Sequence, residues 1–316
     1  MKTNNKLAIL ILAHDNFSCI YEWSKFLQDE DIHFYLHVDK KVKLTPELNL
    51  MFSEINNFTL LNDTERVVVN WGGRSQVDAM LVLLKKAFKS EHNYSNFQFL
   101  SGHDYPIVDS VNLKAKLDPY SSNIRIDRVI SKNSSKRITN LNLYDIAFLN
   151  PKNNSGIVSR LCKYLCSVVS LIPIQRMKED FTFVHGSQWL ALNKESAGLV
   201  LNFLDTNPWY YSYFKYSFGS DEIFIHSILY NSDSLVLEQE YIGVSEEEKS
   251  NNMLYGLHYI DWMAPNNTSG GPRLLSMNDL KSIIQYRDRG ACFVRKINFK
   301  NKEFMTAIRL IGRSES

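Results

Sequence analysis

The strongest constraint on the fold stands at the front of the chain, in the unbroken apolar run LAILILA at residues 7–13. A run of that length without a polar break suits a strand covered on both faces. The next segment, FSCIYEWSKFLQ (17–28), spaces Ile20, Trp23 and Leu27 as one face of a helix, with Phe26 beside them. IHFYLHV (32–38) then reads as a second strand. Strand, helix and strand in succession form a βαβ unit, which builds a parallel sheet and places ligands at the carboxyl ends of its strands. The polar residues at those ends are His14 and Asp15 after the first strand, and Asp39 and Lys40 after the second. No G-x-G-x-x-G joins the first strand to the helix, so the dinucleotide fingerprint is absent.

Further along, WGGRS (71–75) is a glycine turn, and the spacing of Val77, Met80, Leu81, Leu84 and Phe88 predicts a helix over 76–89. Ser75 and Asp78 have capping-box spacing at its start. NFQFLSGHDYP (96–106) reads as a buried strand ending in a polar turn, NIRIDRVI (123–130) as a half-exposed strand, and FTFVHGSQWLALN (181–193) as strand again. A helix is expected over 194–205. HYIDW (258–262), a Pro/Gly/Asn loop at 264–272, a short helix near 277–285 and FVRKINF (293–299) complete the chain. With no internal repeat and no linker-like break in composition, a single α/β domain over 1–316 is expected.

The chain has 316 residues, 44% hydrophobic and 22% charged, as in an ordinary globular protein. A net charge of +2 is too balanced for a general nucleic-acid binder. Cys19, Cys162, Cys166 and Cys292 lack zinc-ligand context and read as reduced thiols, with Cys162 and Cys166 on one helix face. The N-terminal run lacks a small-residue cleavage site, and no window approaches the ~20 apolar residues of a membrane span. A cytoplasmic protein is expected. Residues 131–178 stand apart, with eight Lys/Arg against a single acid, Asp145, and the apolar stretch YLCSVVSLIPI (164–174) inside them. Two readings stay open: an insertion with one buried helix, or a basic amphipathic patch over 157–178 that touches an anionic membrane as a peripheral contact.

Four places carry candidate chemistry. In YSFGSDEIFIHSILY (216–230), Gly219 breaks the chain, Ser220 is a good N-cap, and Asp221 and Glu222 fall in the first turn, where the helix dipole favours negative charge. A carboxylate at such a position is equally where a general base would sit. Asp39 in HVDKK is either a turn residue or a holder of ribose or base. Arg295 and Lys296 are either solvated surface or a phosphate-neutralising pair. His103 and Asp104 have poor metal-ligand spacing. The chain is read as lacking the D-x-D pair with which many sugar-nucleotide enzymes hold Mn²⁺ or Mg²⁺, so no metal is expected.

Taken in order, AILILAHDN, HVDKK, VNWGGRSQVDAML, FLSGHDYPI, GSQWLAL, SDEIF and FVRK resemble the core-2/I-branching glycosyltransferases, whose relatives include peptide O-xylosyltransferases. The resemblance runs from about residue 6 to 300. It implies a GT-A fold, a Rossmann-like mixed sheet flanked by helices, with a nucleotide-binding half over about 1–130, the variable basic insertion over about 131–180, and an acceptor-binding, catalytic half over about 181–316. It implies an inverting transfer, without bound metal or other cofactor, from a UDP-sugar to a hydroxyl of an oligosaccharide or lipid-linked glycan. N-acetylglucosamine is the expected sugar, with xylose or glucuronic acid as alternatives. A non-catalytic module that binds glycan or nucleotide sugar is the other reading.

Carried over by position, the resemblance makes Glu222 the catalytic base. It places His14, Asp39, Arg74 and Ser75 at the nucleotide, and Lys296, with Arg273 or Arg295, at the diphosphate. Gln188 and Trp189 lie near the sugars, and Trp189 or Trp262 could stack on a ring. Asp221 would point about 100° away from Glu222 on a helix, so it either caps the helix or orients a partner on the acceptor side. Animal members of the family carry an N-terminal membrane anchor and several disulfides. This chain opens on its first strand, so a bacterial, cytoplasmic member acting on surface polysaccharide is expected.

Overall fold

The computed structural model describes residues 6–313 apart from 118, 133, 233–236, 241, 243–244, 246–251 and 263–270, so most of the loop expected at 264–272 lies outside the described residues. The front of the chain forms β1 (Lys6–Ala13), α1 (Phe17–Phe26), β2 (Ile32–Val38), α2 (Pro46–Ser53) and β3 (Phe58–Leu60). Then follow α3 (Ser75–Phe88), β4 (Tyr94–Ser101), β5 (Tyr105–Pro106), α4 (Ser110–Lys116), β6 (Ser122–Val129), α5 (Lys136–Thr139) and α6 (Gly156–Val169). Beyond them come β7 (Val184–Gly186), β8 (Ala191–Asn193), α7 (Lys194–Thr206), α8 (Pro208–Tyr213) and α9 (Phe224–Tyr230). The last elements are β9 (Leu237–Glu240), β10 (Leu254–Tyr255), β11 (His258–Ile260), α10 (Leu280–Asp288), β12 (Phe293–Arg295) and α11 (Lys302–Arg313).

The main sheet has the order β3-β2-β1-β4-β8-β6-β7, with β9 added on β6. β1 pairs parallel with both β2 and β4, and β2 with β3. β8 is antiparallel to β4 and to β6, so two reversals bring β6 back to the direction of β4. The carboxyl ends of β1, β2, β4 and β6 therefore open on one edge. This mixed sheet flanked by helices is the α/β architecture expected, and it is consistent with a GT-A-like fold. A smaller sheet, β10-β11-β12-β5, carries the FVRK segment.

β1 shows why a continuous apolar run was required. Its side chains alternate between two cores: Leu7, Ile9 and Ile11 pack with Trp23, Phe34 and Leu36, while Ala8 and Leu10 pack with Met80, Leu84, Phe97 and Phe99. A half-exposed strand could spare one face; this one has helices on both.

Local differences from the sequence reading have physical causes. The strand expected over 181–193 is two short strands, β7 and β8, which pair with different neighbours. Ser75 does not cap α3, whose N-cap is Arg74; its hydroxyl is bonded instead to Asp145. The segment 164–174 is not a buried helix. Among the residues of α6 only Cys162 and Cys166 are buried, their thiols directed to the carbonyls of Phe148 and Leu149. All four cysteines are free and buried, and no helix among the described residues is long and apolar enough to cross a membrane.

The double covering of β1 gives a direct test. Ile9→Ala, at a fully buried position, should cost about 2–5 kcal/mol of unfolding free energy in a urea titration, without abolishing the fold.

Candidate active site

One cleft of about 810 Å³ lies at the carboxyl edge of the sheet. Its lining draws on His14 after β1, Asp39 and Lys41 after β2, and Ser101, Gly102 and His103 after β4. Asp127 and Arg128 come from β6, and His185 to Trp189 from the β7–β8 link. Asp221 and Glu222 close one side; Arg295 and Lys296 lie on the β12 side.

The Asp221–Glu222 segment is built differently from the helix start expected. Ser220–Glu222 is a single 3-10 turn ahead of α9, capped by Gly219 in the left-handed region (φ 66°, ψ 41°). The Ser220 hydroxyl pairs with Ser217 Oγ at 2.5 Å rather than capping the helix. Gly219 is needed twice: for its positive φ, and because a Cβ there would lie 3.3 Å from Arg137 Nη1 and 3.4 Å from Glu222 Oε2. The turn hangs on the WGGRS segment through Gly219 N, which donates to the Gly72 carbonyl (2.8 Å), and on α5 through Phe218 N, which donates to the Arg137 carbonyl (2.7 Å).

Glu222 Oε2 accepts from Arg137 Nη1 at 2.9 Å and lies 2.9 Å from His185 Nε2. Among the described residues nothing is bonded to Oε1, and the side chain keeps 31% of its surface accessible in the cleft. Burial alone would raise this carboxyl's pKa, but the His185 hydrogen bond and the Arg137 charge outweigh it and hold it low. Asp221 is the opposite case. Burial first, then the neighbouring Glu222 charge, push it up to about 7, and its Oδ2 accepts from Gln76 Nε2 at 3.1 Å. The pair divides into an ionised carboxylate facing the cleft and a buried partner that holds a proton near neutrality.

The cationic wall rests on Asp104. That side chain is fully buried, accepts from Ser101 N (2.6 Å) and from Arg295 Nη1 (2.8 Å), and is held at about 2: burial opposes ionisation but the Arg295 charge prevails. Asp104 is therefore spoken for and does not join His103 at a metal. Trp189 lies under the Arg295 guanidinium at 4.0 Å, which leaves Trp262, 39% exposed, as the more open ring. The Lys296 ammonium has no hydrogen bond among the described residues, and burial, then Arg295, lower its pKa. A desolvated lysine beside a second cation is poised to gain from an anion.

Other expected residues are placed with mixed results. His14 is exposed at the rim. Asp39 is held by Lys41 N (3.0 Å) and Val69 N (3.3 Å), and Gln188 lines the floor. Arg74, Ser75 and Arg273 do not reach the cleft. Arg74 pairs with Asp78 (3.7 Å) and stacks on Tyr211. Ser75 and Asn70 anchor the loop carrying Asp145, and Gly73 lacks room for a Cβ against the Asp145 carboxylate. Arg273 is locked between Asp261 and Asp279, whereas Arg295 and Lys296 both line the cleft.

His14, Asp15 and His103 bring three potential metal-ligand atoms within 4.8 Å of one another. One D-x-D triplet also occurs, Asp29–Glu30–Asp31, so its position rather than its absence is what counts. It precedes β2, at the amino end, where Lys114 Nζ reaches Asp29 (2.7 Å) and Asp31 (3.4 Å), and it has no part in the cleft lining.

Arg137, His185 and Gln76 were not anticipated. Arg137 and His185 lie 85 and 37 residues from Glu222, and no local pattern links them. The one available signal was a lone histidine just ahead of GSQWLAL.

The profile of the family described as "Core-2/I-Branching enzyme" matches residues 7–284. The chain belongs to the core-2/I-branching enzyme family. It is also 23% identical over 215 residues to a xylosyltransferase of Ciona intestinalis, an alignment covering 66% of this chain and 23% of that protein. The chain thus spans about a quarter of the length of the curated relative it matches. In this family member the matched span contains both carboxylates but stops short of Arg295 and Lys296, which reach the cleft through β12.

The raised Asp221 carboxyl has a measurable consequence. Its folded pKa of about 7 exceeds the ordinary 3.8, so its contribution to stability is complete below the ordinary value and is lost as pH rises through about 7. Unfolding free energies at about pH 5 and about pH 8 should show wild type losing on the order of 3 kcal/mol relative to Asp221→Asn.

Proposed function

We propose that this protein is an inverting glycosyltransferase that moves a sugar from a UDP-sugar to a hydroxyl of a glycan acceptor, without a catalytic metal ion. The observation that carries the reading is the divided Glu222 carboxylate: one oxygen held by Arg137 and His185, the other open to a cleft walled by Arg295 and Lys296.

In the proposed step the acceptor oxygen attacks the anomeric carbon from the face opposite the diphosphate. The new C–O bond forms as the bond from that carbon to the phosphate oxygen breaks, and its electron pair leaves with UDP. Glu222 Oε1 takes the acceptor proton. A hydroxyl is a weak nucleophile at neutral pH, and such base assistance is worth about 10²–10⁴ in rate. Arg137 and His185 keep the base ionised and aimed. Lys296 and Arg295 meet the charge that grows on the leaving diphosphate, where preorganised cations act without reorganisation. Asp39, with His14 at the rim, is the proposed nucleoside contact. Gln188, Trp189 and Trp262 are proposed for the sugars.

N-acetylglucosamine is the proposed donor sugar, in surface-polysaccharide synthesis. Xylose is the second reading, favoured by the xylosyltransferase match. Release of UDP from a series of UDP-sugars separates the two.

Glu222→Gln should lower transfer by about 10²–10⁴ while UDP still binds by calorimetry; undiminished transfer would remove Glu222 as base. Lys296→Met should weaken UDP binding and slow transfer. Activity should persist in excess EDTA, and complete loss restored by Mn²⁺ would overturn the cation argument.

A further inference from the structure

The face of α6 that looks away from the protein is its apolar one. Ile157, Leu161 and Tyr164 are 73%, 62% and 72% exposed, with Leu165 and Val168 beside them. At 100° per residue these positions fall in a stripe roughly 100° wide. The narrow inward face is supplied by Cys162 and Cys166. A water-facing helix is normally polar there, and a contiguous exposed apolar surface marks a contact site.

The charge around the stripe indicates what it contacts. Arg160 and Lys163 lie along one side of it on the helix, about 40° and 100° beyond its edge, both exposed. Across residues 131–178 eight Lys/Arg face one acid, and that acid, Asp145, is turned inward onto Ser75 Oγ at 2.5 Å. The next acids, Glu179 and Asp180, come only after the stretch. A second copy of the chain docked about a two-fold axis would set cations against cations. An anionic bilayer supplies apolar depth for the stripe and negative headgroups for its flank.

We infer that α6 is an interfacial helix that seats the protein on an anionic lipid bilayer. The seat adjoins the cleft. Ser159 Oγ of α6 donates to the Pro151 carbonyl at 2.8 Å, and the residues after it, Lys152 and Asn153, line the cleft. Where the transferase reading holds, an acceptor carried on a lipid would reach the cleft from this side; the bilayer contact itself does not depend on that reading.

Flotation with phosphatidylcholine vesicles, with and without phosphatidylglycerol, tests it on the full chain. Wild type should float with the anionic vesicles at low salt and be released at high salt. Arg160→Gln and Lys163→Gln should each weaken partitioning by roughly fivefold. Ile157→Ser, Leu161→Ser and Tyr164→Ser combined should abolish it, while thermal unfolding and UDP binding match wild type. Absence of flotation on anionic vesicles, or equal flotation of the triple variant, overturns the inference. So does a dimer in sedimentation that the triple variant dissolves while vesicle binding is nil, which would assign the face to a second copy. UDP-sugar turnover on a soluble acceptor, measured in parallel, reports separately on the transferase reading.

Discussion

Arg137 and His185 both meet one oxygen of Glu222, and much of the surrounding construction serves that meeting. Arg137 comes from the basic insertion, His185 from an antiparallel strand, and Glu222 from a tight turn. A glycine stands at the contacts that bring them in. Gly186 admits β7 against the Arg125 carbonyl, where a Cβ would lie 2.0 Å from that oxygen. Gly219 turns the chain beside Arg137. The Gly72 carbonyl accepts from Gly219 N, and a Cβ on Gly72 would lie 2.6 Å from the Phe218 ring. The backbone is threaded so closely that polar groups from three separate segments converge with no side-chain bulk between them.

Asp104 serves the same purpose on the other wall. A fully buried carboxylate is costly unless it is paired and hydrogen-bonded. Here the backbone N–H of Ser101 and the Arg295 guanidinium satisfy it. The arrangement ties the end of β4 in the main sheet to β12 in the small one. The Arg295 guanidinium is thereby fixed in the lining of the same cleft as Glu222 by the fold itself. Electrostatic order in the cleft follows from sheet order, since the strands that end together are those whose ends carry the polar residues.

Much of this was legible in the sequence. The run at 7–13 and the strand at 32–38 gave β1 and β2 because a doubly covered parallel strand leaves a continuous apolar signature. That Glu222, Asp39 and Lys296 would share one cleft was readable through the resemblance, as they sit in short contiguous motifs. What was not legible depends on contacts distant along the chain. Nothing near Arg137 says that it will face Glu222, and nothing near Arg273 says that Asp261 and Asp279 will claim it. Arg74 and Ser75 lie in a motif that carries the resemblance, yet Arg74 pairs with Asp78 and Ser75 anchors the loop carrying Asp145. The apolar letters of 164–174 suggested burial, but whether such a segment faces inward depends on what packs over it. Here the neighbouring turn covers only the two cysteines.

The Asp104–Arg295 anchorage bears on the end of a catalytic cycle as well as its middle. A diffusible divalent ion can depart together with a spent nucleotide. A guanidinium bolted to the protein core cannot, and on the proposed reading it would attract the by-product as it attracted the donor. On the proposed reading, turnover would then be throttled by accumulated UDP, and steady flux would call for a neighbouring phosphohydrolase to clear it.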